Sequence, residues 1–282
     1  EREFAKAHDV KYAVMVNSGT SALRIAFACL KEVERWKDGD EVIVPAITFV
    51  ATVNTVISNG LKPVFVDVDP RTYNIDPAEI EKKVTRRTRA IVPVHLMGQS
   101  SEMEPIMKIA NKHNLKVVED SCETMFTNYK GRSVGSFGDI SCFSTYVAHL
   151  IVTGVGGLAL TSNPKYAEVL RSLANHGRDN IYISIDDAKG KKGELFKQII
   201  ARRFRFIRPG YSFRVTEFEG ALGCAEMEIA PKMMKHRRKN GAYLLNKLAP
   251  FAKYLQLPWH PPYSGHAFMM FPIVINDARI TK

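Results

Sequence analysis

Seven short apolar runs, separated by stretches of helical periodicity, constrain this chain more than any other feature. They are YAVMV (12–16), EVIVP (41–45), PVFVDV (63–68), AIVPV (90–94), KVVED (116–120), ISCFS (140–144) and GLALT (157–161). Runs this short that stay apolar on both parities read as strands covered on both faces. Between them, SALRIAFACLKEVERW, ATVNTVISNG, DPAEIEKKV and EMEPIMKIANKHN repeat apolar residues at three and four, the period of a helix with one buried stripe. Strands joined through helices return to the same edge and run parallel. The expected fold is α/β, a mostly parallel sheet between helices, in one large domain and part of a second.

After RPGYSFRVTEFEGALGCAEMEIA the pattern changes to a long helix through about residue 240, then to PPYSGHAFMMFPIVI, rich in proline and aromatic residues. Residues 1–228 are expected to form a large ligand-binding domain and residues 229–282 the start of a small α+β domain. The chain opens inside a helical pattern without methionine and stops just after a strand-like run, so a terminal domain is expected to be incomplete.

The formal charge of +11 suits an anionic partner. The densest basic segment, LFKQIIARRFRFIR, carries Lys197, Arg202, Arg203, Arg205 and Arg208. It could meet nucleic acid or a diphosphate-bearing small molecule, or simply be a solvated helix face. No apolar run reaches the roughly 18 residues of a membrane span. Cys29, Cys122, Cys142 and Cys224 lack paired spacing, so no metal or cluster site is expected, and they read as reduced thiols of a cytoplasmic protein.

In α/β sheets, ligands sit beyond the carboxyl ends of the strands, so the residues after each run are the candidates. NSGTSAL follows the first and sets Ser18, Gly19, Thr20 and Ser21 at a helix start, where free N–H groups suit a phosphate. PAITFVAT follows the second and offers Phe49, a flat ring able to stack on a heteroaromatic ligand. KVVED ends in Asp120. The stretch ISCFSTYVAHLIVTGVGG delivers Ser144 and His149 into a turn whose glycines permit close backbone approach. A phosphate cup, an aromatic plate, a carboxylate and a serine with a base are, taken together, what pyridoxal phosphate requires.

The chain resembles the DegT/DnrJ/EryC1/StrS sugar aminotransferase family of fold-type I pyridoxal phosphate enzymes. The likeness runs through NSGTSAL, PAITFVATVNTVISNGLKPVFVDVDPRTYNIDP, VHLMGQSSEM, VVED, YKGRSVGSFGDI, NHGR and PGYSFRVTEFEGALG. It implies that Gly19 and Thr20 form the phosphate turn, Phe49 stacks on the ring, Asp120 partners the pyridine nitrogen and Ser144 binds phosphate. Ser212 stands where the family usually has an asparagine that reaches the neighbouring subunit's cofactor, which implies a homodimer. His176, Arg178 and Arg208 are candidates for a substrate diphosphate.

His149 falls where the aminotransferases have the lysine that binds the cofactor covalently. Imidazole has no NH2 group and cannot condense with an aldehyde, but it can carry protons near neutral pH. The same replacement marks a branch similar to STYVAH and EDSCET, the nucleotide-sugar 3-dehydratases, although Val155 stands where both branches commonly have glutamate. The resemblance therefore implies a 3-dehydratase of a nucleotide-linked 4-keto-6-deoxy sugar, with His149 as base. It would use non-covalent pyridoxal or pyridoxamine 5′-phosphate and glutamate as amino donor, without metal, nucleic acid or membrane. Of the family's two variants, the scattered cysteines favour the glutamate-supported one over the one served by an iron–sulfur cluster. The alternatives are a sugar aminotransferase that borrows another amine, Lys130 being nearest, and a non-catalytic homologue with a binding or regulatory role.

Overall fold

The computed structural model describes residues 1–179, 190–202 and 204–276; Arg203 lies outside the described residues. All seven apolar runs enter one seven-stranded sheet. Its strands are β1 (Tyr12–Val16), β2 (Glu41–Pro45), β3 (Lys62–Val66), β4 (Thr88–Ile91), β5 (Lys116–Asp120), β8 (Ile140–Ser144) and β9 (Gly157–Thr161), in the order β1-β9-β8-β5-β4-β2-β3. A small hairpin, β6 (Asn128–Tyr129) with β7 (Arg132–Ser133), interrupts the sequence of sheet strands. β9 pairs antiparallel with both β1 and β8, and the remaining sheet pairs are parallel. The carboxyl ends of β1, β2, β3, β4, β5 and β8 thus share one edge, where β9 begins.

The helices are α1 (Arg2–Ala7), α2 (Gly19–Val33), α3 (Val50–Ser58), α4 (Pro77–Ile80), α5 (Met103–His113), α6 (Pro164–Ala174), α7 (Gly193–Arg202) and α8 (Glu217–Leu248). Local chemistry sets several of their starts. Ser18 accepts from the Ser21 N–H to open α2, while Asp76 and Asn163 do the same before Pro77 and Pro164. Thr216 and Glu219 form a capping box on α8.

Strand parity divides the core. Val14, Val16, Val42, Val44, Val118, Ile140, Cys142 and Ala159 pack with α2 and α6 on one face. Ile43, Ile91 and Val117 turn to the other face, against Ile106 and Ala110 of α5. Phe143, Leu158 and Leu160 also turn there, against Phe4 of α1 and Met234 of α8. Burying each such side chain is worth about 1.5–3 kcal/mol, so the alternation fixes which residues at the strand ends face α2 and α3. Asp120 and Ser144 share the parity of Val118 and Cys142; Glu119 takes the opposite one.

Residue 228 lies inside α8, so a division there passes through a helix and not a linker. Beyond α8 the chain returns to the sheet domain: the Ala267 N–H donates to the Gly98 carbonyl at 2.7 Å, and His266 and Ser264 bridge to Gln99 and Tyr129. A two-stranded piece, β10 (Leu255–Gln256) with β11 (Val274–Ile275), completes the described residues. Among these, no helix is long and apolar enough to cross a membrane.

Candidate functional site

Most of the candidate residues meet at the shared strand edge. Gly19 opens α2 directly against β8, because a Cβ there would lie 2.8 Å from both the Ser144 Cβ and the Cys122 Sγ. Only glycine leaves the cup open. Gly157 closes its other side, for a Cβ at that position would come within 2.5 Å of the Gly19 nitrogen. The first N–H groups of a helix, here those of Gly19 and Thr20, are not used by the helix itself and carry the positive end of its dipole. Ser144 presents its hydroxyl beside them, buried and touched by the Tyr146 N–H at 3.4 Å. Unused helix N–H groups beside a buried hydroxyl suit a phosphate monoester.

Asp120 ends β5 and is 5% exposed. Its Oδ2 accepts from the Thr52 hydroxyl at 2.7 Å and its Oδ1 from the Cys122 N–H at 3.2 Å. Phe49, at the start of α3, is 67% exposed, so its face is free to cover a flat ligand. Cup, carboxylate and plate lie on one side of the sheet edge and fit a phosphorylated pyridine.

His149 sits in the connection from β8 to β9. This loop is tied by paired hydrogen bonds at its base, Thr145 N–H to the Gly156 carbonyl and Thr153 N–H to the Thr145 carbonyl, each 2.9 Å. The His149 ring stands edge-on to Tyr146 and is half-buried, and its Nδ1 is buried without a hydrogen-bond partner among the described residues. Burial lowers its pKa below 6.5, against smaller upward contributions from the Ala148 carbonyl and the Asp120 charge. Burial thus favours the neutral imidazole, which keeps one proton-accepting nitrogen.

Glu123 is a further carboxyl near Asp120 that the sequence presented only as a branch marker. Its Oε2 accepts from the Met97 N–H at 2.7 Å, and burial raises its pKa above 4.5. Thr52 went unnoticed, although its spacing of four from Thr48 on a helix start was readable.

The candidates for substrate contact separate. Ser212 and His176 share Arg214, whose Nη2 lies 3.1 Å from the Ser212 Oγ and 3.0 Å from the His176 Nε2. The segment ends near the cup, since the Asn17 N–H donates to the Phe213 carbonyl at 2.8 Å. The Arg178 guanidinium lies 5.7 Å from the ring centroids of Phe204 and Phe206. Arg208, the third of these candidates, is paired with a carboxylate of α2. Its Nε contacts both oxygens of Glu32, at 2.9 and 3.0 Å, one residue before the end of α2, roughly 20 Å along the helix from Gly19. Arg202 and Arg205 are likewise engaged, both with Asp179, so much of the basic segment is spent on internal ion pairs. Lys130 pairs with Glu104 and lies over Tyr129 and Tyr263, on the β6–β7 hairpin. Among the described residues no group of three or more metal-ligating side chains occurs.

The family profile described as the DegT/DnrJ/EryC1/StrS aminotransferase family matches residues 1–282. A GDP-perosamine synthase of Caulobacter vibrioides is 35% identical over 282 residues, covering 100% of this chain and 69% of the relative. The chain spans about two thirds of the length of its curated relatives, from 58% to 70%. A solved GDP-4-keto-6-deoxy-D-mannose-3-dehydratase of E. coli with bound hydrated PLP superposes with a TM-score of 0.88 at 32% identity, covering 99% of this chain and 70% of that one. A structure of GDP-4-keto-6-deoxymannose-3-dehydratase with a trapped PLP–glutamate geminal diamine gives 0.89 at 31%, covering 99% and 71%.

Proposed function

The chain belongs to the DegT/DnrJ/EryC1/StrS aminotransferase family, and on that premise we propose that it is a 3-dehydratase of a nucleotide-linked 4-keto-6-deoxy sugar. The observation that carries this reading is His149, an imidazole with an unpartnered buried Nδ1 in the turn beside the phosphate cup. A decayed site has no reason to retain an open cup, a held carboxylate and an uncovered ring around such a base.

Pyridoxamine phosphate, when bound, supplies an amine for the sugar ketone and a conjugated ring that accepts an electron pair. Gly19, Thr20 and Ser144 would hold the phosphate, Phe49 would cover the ring, and Asp120 would keep the ring nitrogen protonated. His149, whose neutral form burial favours, would take the proton released at the carbon that bears the cofactor's amine and return it to the departing C3 hydroxyl, which leaves as water. Glutamate as amino donor and a GDP- or dTDP-linked substrate follow from what the solved and curated relatives handle.

A homodimer is part of the proposal. Ile47, Tyr146, Val147 and Val155 are all exposed on the two loops that frame the mouth, an apolar rim suited to a second copy. Ser212, on the surface, then faces outward toward that copy's cofactor.

The test is an absorbance spectrum of the protein with pyridoxal phosphate and glutamate, before and after borohydride, followed by peptide mass spectrometry. Conversion to a pyridoxamine-like species without a trapped lysine supports the dehydratase. A reduced lysine adduct in the pocket restores the aminotransferase, and failure to bind cofactor leaves a non-catalytic homologue.

A further inference from the structure

We infer that Thr52 is a positioning residue that fixes the Asp120 carboxylate toward the cofactor's ring nitrogen, with Thr48 completing the relay. The inference rests on the cofactor site proposed above and concerns how that site is held in register.

Asp120 is restrained on every side but one. Its main-chain N–H donates to the Pro93 carbonyl and its carbonyl accepts from the His95 N–H, both at 2.9 Å, so the backbone cannot turn. The Cys122 N–H, at 3.2 Å from Oδ1, is a longer contact supplied by the adjacent loop. The side-chain torsion is set by the shorter contact, 2.7 Å from the Thr52 Oγ1 to Oδ2. Thr52 is 0% exposed, so water cannot replace that hydroxyl. An ionised carboxylate only accepts, which commits the single Thr52 proton to Asp120. The Thr48 hydroxyl, 2.8 Å away, must then donate to Thr52. The result is a directed chain, Thr48 to Thr52 to Asp120, running from a half-buried hydroxyl to a fully buried one.

The same helical turn carries Phe49. Thr52 lies three residues beyond it, and the Thr52 N–H donates to the Phe49 carbonyl at 3.1 Å. One turn of α3 therefore positions both the Phe49 ring and, through Thr52, the Asp120 carboxylate. A hydroxyl that served packing alone would have no need of this alignment, because valine fills the same volume.

The test compares the affinities of Thr52→Val and the wild-type protein for pyridoxamine 5′-phosphate and for its 1-deaza analogue, which has carbon in place of the ring nitrogen. Thr52→Val is expected to weaken the nitrogen-bearing ligand roughly tenfold, as loss of one hydrogen bond to a charged group does, and the deaza analogue less than about twofold. Thr52→Ser is expected to restore most of the difference. Thr48→Val, at a half-buried position, should give a smaller loss with the same selectivity, and carries the test if Thr52→Val does not fold. Equal weakening of both ligands, or no weakening of either, overturns the inference while leaving the cofactor site intact. Failure of the wild-type protein to bind either ligand overturns the site itself.

Discussion

Glu119 and Asp120 are consecutive on β5, and their carboxylates face opposite sides of the sheet in different company. Asp120 meets a threonine hydroxyl and one N–H at the edge of the site. Glu119 is 0% exposed and accepts four hydrogen bonds, from His95 Nε2 at 3.0 Å and from the N–H groups of Gly135, Phe137 and Gly138 at 2.8, 2.7 and 2.6 Å. His95 is held for that role, since its Nδ1 accepts from the Ser101 N–H at 3.0 Å. The structural carboxylate thus anchors the loops flanking β5, while its neighbour is left with capacity for a ligand.

Glu119→Gln tests the anchor. Its amide nitrogen would point a donor at donors, and each lost or opposed bond to a buried charge costs about 1.5–3 kcal/mol. The expected loss is about 3 kcal/mol in urea unfolding. A change below about 1 kcal/mol would show that the loops do not depend on this carboxylate.

Gly19→Ala tests the cup. A methyl group 2.8 Å from the Ser144 Cβ and Cys122 Sγ must displace one of them into the phosphate position. Affinity for pyridoxal phosphate should fall at least tenfold, while that for pyridoxal, which lacks the phosphate, stays nearly constant. Parallel titrations of the two ligands read the difference directly.

Much of this arrangement was legible beforehand because it is local. Each of the seven strands overlaps an apolar run, though β3 ends at Val66 and not at 68, and β4 spans 88–91 and not 90–94, because the chain leaves the ladder and only bridges Val94 with Asp120. Gly19 and His149 follow β1 and β8, and Ser144 ends β8. What could not be read depends on partners far along the chain. Nothing in RPGYSF announces that Arg208 is claimed by Glu32, and nothing near Thr52 points to Asp120, 68 residues away. The reversed direction of β9 is also silent in GLALT, because it follows from a loop closed by tertiary hydrogen bonds and not from the residues of the strand.

Phe49→Ala separates binding from folding. The ring is 67% exposed, so unfolding free energy should change by no more than about 0.5 kcal/mol. Loss of a stacked aromatic contact should weaken pyridoxal phosphate by roughly three- to tenfold. A destabilised protein with unchanged affinity would place the ring in the fold and outside the site.

His149→Asn should leave cofactor affinity within a few-fold and reduce turnover by about 10²- to 10⁴-fold, the range for loss of a general base. The pH profile follows from the lowered pKa of His149. The neutral form accepts the proton and persists to below pH 6.5, so the acid limb of kcat/KM, which reports the free enzyme, should fall below 6.5. A limb at or above that value would assign the titration to another group.

His8 sets a separate acid sensitivity of the fold. It is buried among Phe4, Phe126 and Phe143, its Nδ1 lies 3.0 Å from the Phe4 carbonyl, and burial pushes its pKa down to about 4. Between about pH 4 and 6.5 the unfolded chain holds a proton at this position that the folded one refuses. Stability contributed by the neutral ring is therefore complete above 6.5 and drains as pH falls toward 4, by roughly 3 kcal/mol in all. His8→Phe removes the titrating group while keeping a ring in the cluster. Urea unfolding at pH 7 and pH 4.5 should show a smaller difference for the variant, by about 2–3 kcal/mol. Equal differences would locate the acid response elsewhere, with His266, also lowered to about 4 by burial, as the next residue to replace.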